Sequence, residues 1–146
     1  MDGGSTDGTV ESVKTQFPHV NIKTVDGVFW NRGMIEAWKM AEEKKRNGCN
    51  YDYYLWLNDD TFIYKDCIAS LLRVSLLKKN RTIVLGSTVD TQTRSKLTYG
   101  GRDKTGKVAR PSSDDSPVPV IMMNGNIVLV PHSVYKKLGT LDPYYT

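Results

Sequence analysis

Two stretches of this sequence carry the residue types that metal-ion and phosphate chemistry uses. They are Asn58-Asp59-Asp60-Thr61 and Asp2-Gly3-Gly4-Ser5-Thr6-Asp7-Gly8-Thr9. The first follows directly on the apolar run Tyr53–Leu57. Adjacent carboxylates at the end of a buried strand repel one another, and a cation relieves that repulsion. One or two carboxylates completed by substrate phosphates suit Mg²⁺ or Mn²⁺. Such a metal can neutralise a diphosphate leaving group as a Lewis acid. The same residues also read as a turn and the cap of the helix that follows.

The glycine-rich cluster has a plain reading as well, a turn and helix N-cap. It is not an EF-hand loop, because Asp7 stands where the sixth-position glycine is required. It is not a P-loop, because no Gly-Lys-Ser/Thr closes it. Trp30 could stack on a base or acceptor ring, although core packing is the commoner use of tryptophan. Trp56 alternates within its strand and reads as core, and His19 and His132 read as surface or capping residues.

The elements that must position these clusters alternate between helix and strand. Thr6 or Asp7 caps a first helix with Val10, Val13 and Phe17 at helical spacing, stopped by Pro18. A short strand is expected over 20–25 and a second helix over 32–46, with Met34, Trp38 and Ala41 on one face and Gly48 closing it. Tyr53–Leu57 has the pattern of a central strand buried on both faces. A third helix over 65–79 turns Ile68, Leu71, Leu72 and Leu76 inward, and a strand over 82–85 follows. Residues 91–119 leave this alternation, with a strand pair expected between 97–99 and 107–108. The charged stretch 102–117 reads as a mobile loop, a lid over donor or acceptor. Strands at 120–123 and 127–130 flank Asn124-Gly125-Asn126, and Pro131 opens a last helix ended by Gly139. The order of elements predicts an α/β fold with right-handed crossovers, in which ligands bind beyond the carboxyl ends of the strands.

The chain has 146 residues, 39% hydrophobic and 25% charged, which suits one folded domain rather than a disordered or membrane chain. No apolar run reaches the roughly 20 residues of a bilayer span, and the first residues do not resemble a signal peptide. The reading therefore places the protein in the cytoplasm or at the inner face of the membrane. Cys49 and Cys67 then read as reduced thiols, and the Asn80-Arg81-Thr82 sequon as a chance match. The net charge of +4 is scattered and carries no nucleic-acid reader motif, so no nucleic-acid partner is expected.

Taken together, DGGSTDGT and, roughly 50 residues later, YYLWLNDDT resemble the paired signature of the family 2 glycosyltransferases, which share the GT-A fold. MNGNIVLVPHSVYKKLGTLDP resembles that family's next block. The resemblance implies a GT-A-like, Rossmann-like three-layer sandwich around a mostly parallel sheet. Its nucleotide- and metal-binding part would lie at 1–90 and its donor-sugar and acceptor part at 91–146. It implies transfer of a sugar from a nucleoside-diphosphate sugar to a saccharide or lipid-linked hydroxyl acceptor, inverting and dependent on Mn²⁺ or Mg²⁺, in polysaccharide or glycoconjugate synthesis. Asp60 matches the metal-ligating last position of the D-x-D element. Asp59 matches its middle position and Asn58 its first, where the family more often has Asp, and the resemblance makes both nucleotide-binding residues. Asp2 matches an acidic nucleoside contact, with Ser5 and Asp7 holding the loop. Arg32 and Gly33 fall at a nucleotide-contacting turn, and Asn124 and Gly125 at the turn near the transferred sugar.

The family pattern also sets a strand, a helix and a second strand before the DGGSTDGT position, and its catalytic base beyond Thr146. The resemblance thus implies a chain cut at both ends and inactive alone. An exposed sheet edge would invite self-association, and the parent enzyme would associate peripherally with a membrane. Within the chain, Asp114, Asp115 and Asp142 are the poor remaining candidates for a base. Two other readings stand beside this one. One is a remnant that binds nucleotide or a partner without turnover. The other is a nucleotidyltransferase of similar fold, which would be expected to carry a Gly-rich basic loop near the N-terminus.

Overall fold

The computed structural model describes residues 1–112, 114 and 116–145. Asp115 and the region around Thr146 lie outside the described residues. The fold is mixed α/β. It divides into two compact units, residues 1–50 with 139–146, and residues 51–138. These units cut across the functional parts expected at 1–90 and 91–146.

In the first unit, Asp2 pairs with Thr24 in a parallel bridge, and this bridge is all that forms of the strand expected over 20–25. Between the two lies α1 (Thr9–Gln16). Asp7 Oδ1 accepts from Thr9 N at 3.1 Å and Thr9 Oγ1 at 2.6 Å, so the first-turn amide is satisfied from the residue expected to cap it. Helix α2 (Trp30–Arg46) starts two residues earlier than the sequence reading placed it and buries Ile35 and Trp38. Gly48, at φ 99°, leaves it in the left-handed region that glycine tolerates best. Residues Pro143–Tyr145 form a 3-10 turn in which Tyr144 N donates to Asp142 Oδ1 at 2.9 Å.

The second unit is built on a three-stranded sheet in the order β1 (Tyr53–Leu57), β5 (Ile127–Pro131), β2 (Val84–Leu85). Both ladders are antiparallel, which differs from the mostly parallel sheet expected. The reason is that β5 is inserted between β1 and β2. Being antiparallel to both, it leaves β1 and β2 running in the same direction, joined through α3 (Cys67–Leu77). The central strand is therefore β5, buried along its whole length, and not Tyr53–Leu57. Strand β1 lies at the sheet edge in this order, and Leu55 and Leu57 remain 37% and 43% exposed while Tyr54 and Trp56 are buried. Its apolar run is half-buried rather than buried on both faces.

One face of β5 meets α3, where Leu71, Val84, Ile127 and Leu129 make a core joined by Tyr53, Cys67, Leu72 and Val74. The other carries Val128 and Val130, in register with Trp56 and Tyr54. Tyr54 packs in a tilted contact, ring centroids 5.0 Å apart, on Tyr135 of α4 (His132–Leu138). The inner face of α3 differs from the one expected. Ile68 and Leu76 are exposed, and Ser75 is fully buried. Ser75 can sit there because its hydroxyl donates to Asn80 Oδ1 at 3.0 Å, which also accepts from Tyr53 Oη at 2.8 Å. The Asn80 side chain is thus a structural clamp.

The strand pair expected between 97–99 and 107–108 does not form. Leu97 bridges Val89, and Val108 bridges Arg102 in a second hairpin. Strand β3 (Gly101–Arg102) also pairs with β4 (Met122–Met123). Residues 102–109, expected to be part of a mobile lid, are closed by Asp103 N to Lys107 O at 3.0 Å and Ala109 N to Gly101 O at 2.8 Å. Among the described residues, no helix is long and apolar enough to cross a membrane.

Candidate functional site

In the first unit, the carboxylate of Asp2 folds back on its own loop. It accepts from Gly4 N at 3.1 Å and from Ser5 N at 3.2 Å. Ser5's hydroxyl, then these backbone amides, hold its carboxyl below the usual value of 3.8 although burial opposes them. Gly4 is required here. A Cβ at its φ of 99° would meet Asp26 Oδ1 at 2.8 Å. Asp2 thus shares the loop-holding role that the sequence reading gave to Ser5 and Asp7. Arg32 and Gly33 lie inside the first turn of α2 rather than in a turn before it, with Arg32 exposed and Gly33 buried. A Cβ on Gly33 would lie 3.8 Å from Val28 Cγ2, and one on Gly3 would lie 3.2 Å from Val28 O. Val28 is therefore a shared neighbour of the Asp2 loop and the start of α2.

In the second unit, three chain turns converge at the carboxyl ends of β1 and β2. Asn58 N donates to Asn126 O at 3.0 Å, and Gly86 N donates to Ile127 O at 3.1 Å. Asn124 N donates to Gly100 O at 3.3 Å, and Thr88 N to Tyr99 O at 2.9 Å. The D-x-D-like turn and the Asn124-Gly125 turn, read separately in the sequence, are thereby tied together. Asp59 and Asp60 are exposed and take part in no ion pair among the described residues. Asn124 Oδ1 is buried without a hydrogen-bond partner among the described residues, an acceptor left for an incoming donor.

Asp60 stands on the wall of a groove of about 480 Å³. Its other walls include Phe62, Tyr64, Thr88, Arg94 and Tyr99, which sequence reasoning did not single out. The signal was present at 90–96, where Asp, Thr and Ser at short spacing mark a side-chain-capped turn. Asp90 organises that turn. Its oxygens accept from Gln92 N, Thr93 N, Thr93 Oγ1 and Lys96 N at 2.6–3.1 Å. The Thr93 hydroxyl and then its amide drive the Asp90 carboxyl far below its usual range.

No group of three or more His, Cys, Asp or Glu side chains converges among the described residues. A metal that shares its coordination with substrate phosphates does not need one. The donors offered at 59–60 are hard carboxylate oxygens, the set that Mg²⁺ and Mn²⁺ favour. Asp114 and Asp142, weighed as bases, are both turn carboxylates. Asp114 accepts from Ser112 Oγ and Ser116 N, and Asp142 from Tyr144 N. Cys49 and Cys67 are free thiols, and burial followed by the charge of Asp66 pushes the Cys67 thiol upward. No family model, curated protein or solved structure matches this chain.

Proposed function

We propose that this chain carries the metal- and diphosphate-binding part of a family 2-like glycosyltransferase on a GT-A-like frame. The reaction would move a sugar from a nucleoside diphosphate to a hydroxyl acceptor with inversion. The observation that carries this reading is the Asn58-to-Asn126 hydrogen bond, which ties the turn bearing Asp59-Asp60 to the turn bearing Asn124-Gly125 at the carboxyl end of β1. That end of such strands is where an α/β sheet takes its ligands. Asp60, with Asp59 beside it, would hold a divalent cation, which supplies charge neutralisation for the leaving diphosphate. The buried Asn124 Oδ1, without a hydrogen-bond partner among the described residues, is suited to accept from a hydroxyl of the transferred sugar.

A second reading, binding without turnover, is favoured by one observation. The groove's other carboxylate among the described residues, Asp90, is fully engaged by its own turn and has a lowered pKa, which makes it a weak base. Calorimetric titration with a nucleoside diphosphate, with and without Mn²⁺, tests both readings when paired with a transfer assay. The expected result is metal-dependent binding that Asp60→Ala abolishes. Turnover separates the enzyme from the binding module. Equal affinity with and without metal in the unaltered chain would contradict both.

A further inference from the structure

We propose that the groove beside Asp60 takes an anionic saccharide, whose sugar ring lies on Tyr64 and Tyr99 and whose carboxylate or phosphate pairs with Arg94. The argument starts from what the groove leaves uncovered. Tyr64 is 58% and Tyr99 48% exposed, and Phe62 stands 88% exposed on the same wall. One exposed aromatic is ordinary. Three around one concavity make a platform for the C–H face of a pyranose. Its volume of about 480 Å³ is in the range of small-molecule sites. Thr88 Oγ1 and Thr98 Oγ1, 2.8 Å apart on the same walls, add two hydroxyls that can exchange hydrogen bonds with sugar hydroxyls.

Arg94 supplies the charge selection. Its guanidinium belongs to no ion pair among the described residues, although Asp90 begins the same turn. The Asp90 oxygens are already engaged by Gln92, Thr93 and Lys96. The turn holds Arg94 at φ 54°, a backbone state that a non-glycine residue adopts only at a cost and that concentrates at binding sites. A neutral occupant would leave this exposed cation to solvent and gain nothing from it. A carboxylate or phosphate would take it in a two-pronged pair. Calling the occupant the acceptor rests on the function proposed above. The binding claim itself does not.

The test is an NMR titration of the full chain with a glucuronate-bearing disaccharide, with galactose 6-phosphate and with lactose, in the absence of metal. Arg94→Gln and Arg94→Asn are compared with the unaltered chain, asparagine being among the non-glycine residues that best tolerate the positive φ. The expected result is that one or both acidic sugars shift amides at 61–64 and 88–99. Both variants should weaken that binding by about tenfold or more, with lactose weak and unchanged. Whichever acidic sugar binds more tightly identifies a carboxylate or a phosphate as the natural group. Lactose binding as tightly as the acids, no effect of either variant, or inorganic phosphate alone reproducing the shifts would overturn the proposal. So would metal-free binding of uridine diphosphate that Arg94→Gln removes, since Arg94 would then serve the donor. Acidic-sugar binding in a chain that shows no Mn²⁺-dependent nucleotide binding would defeat the transferase reading while leaving this site standing.

Discussion

Asp60 and Asp90 face one groove in opposite states. Asp60 is exposed and in no ion pair among the described residues, while Asp90 accepts four hydrogen bonds from its own turn. Their substitutions should therefore behave differently. Asp60→Ala is expected to change unfolding free energy by no more than about 0.5 kcal/mol while removing Mn²⁺-dependent nucleotide binding, as chemical denaturation and calorimetry would record. Asp90→Ala should release the turn at 90–96 and remove acidic-sugar binding although Arg94 is intact. The sign of its pH dependence follows from the lowered pKa. The contribution of Asp90 is complete above the ordinary carboxyl value of 3.8 and is lost as pH falls through the depressed one. Amide protection in the turn, taken relative to the intrinsic exchange rate at each pH, should fall on acidification in the unaltered chain and be independent of acid in the variant. Asp60 was legible from its place after an apolar run. The place of Arg94 on the groove was not, because it is set by the turn at 90–96, a backbone angle and a neighbour's hydrogen bonds that periodicity does not reveal.

Helices α2 and α3 could be found in the sequence because their apolar residues recur at helical spacing over several turns. Their inner faces could be read only in part. Ser75 is buried because a partner five residues on, Asn80 at φ 53°, turns back to meet it. Asn80→Gly keeps the backbone angle and removes both side-chain bonds. It should cost about 1–3 kcal/mol in urea unfolding. Within α2, Glu36 binds Lys23 and Lys39, each at 2.6 Å. Lys23 first and Lys39 second lower its carboxyl from 4.5 to about 2. That stabilisation is present above 4.5 and disappears as pH falls toward about 2, so Glu36→Gln should flatten the acid limb of the unfolding profile. The hairpin partners of Leu97 and Val108 were assigned wrongly because pairing between short strands is decided by turn geometry at 90–96 and 103–106, not by the two apolar residues.

At the scale of the whole molecule, the second unit is organised by β5, whose residues Ile127 to Pro131 are all buried and whose antiparallel insertion brings the ends of β1 and β2 together. Both β1 and β5 read as apolar runs, and only the pairing order shows which is central. Val128 is at 0% exposure, and Val128→Ala is expected to lose about 2–3 kcal/mol, with Leu129→Ala costing more because it leaves the larger cavity. The central claim is that the three turns joined at the end of this sheet form one metal–diphosphate site. Paramagnetic broadening by Mn²⁺ in the presence of a nucleoside diphosphate tests it most directly. The account predicts that amides at 58–61, 86–88 and 124–126 broaden together and first, and that Asp60→Ala abolishes the effect. Broadening centred elsewhere, or unchanged in Asp60→Ala, would contradict it.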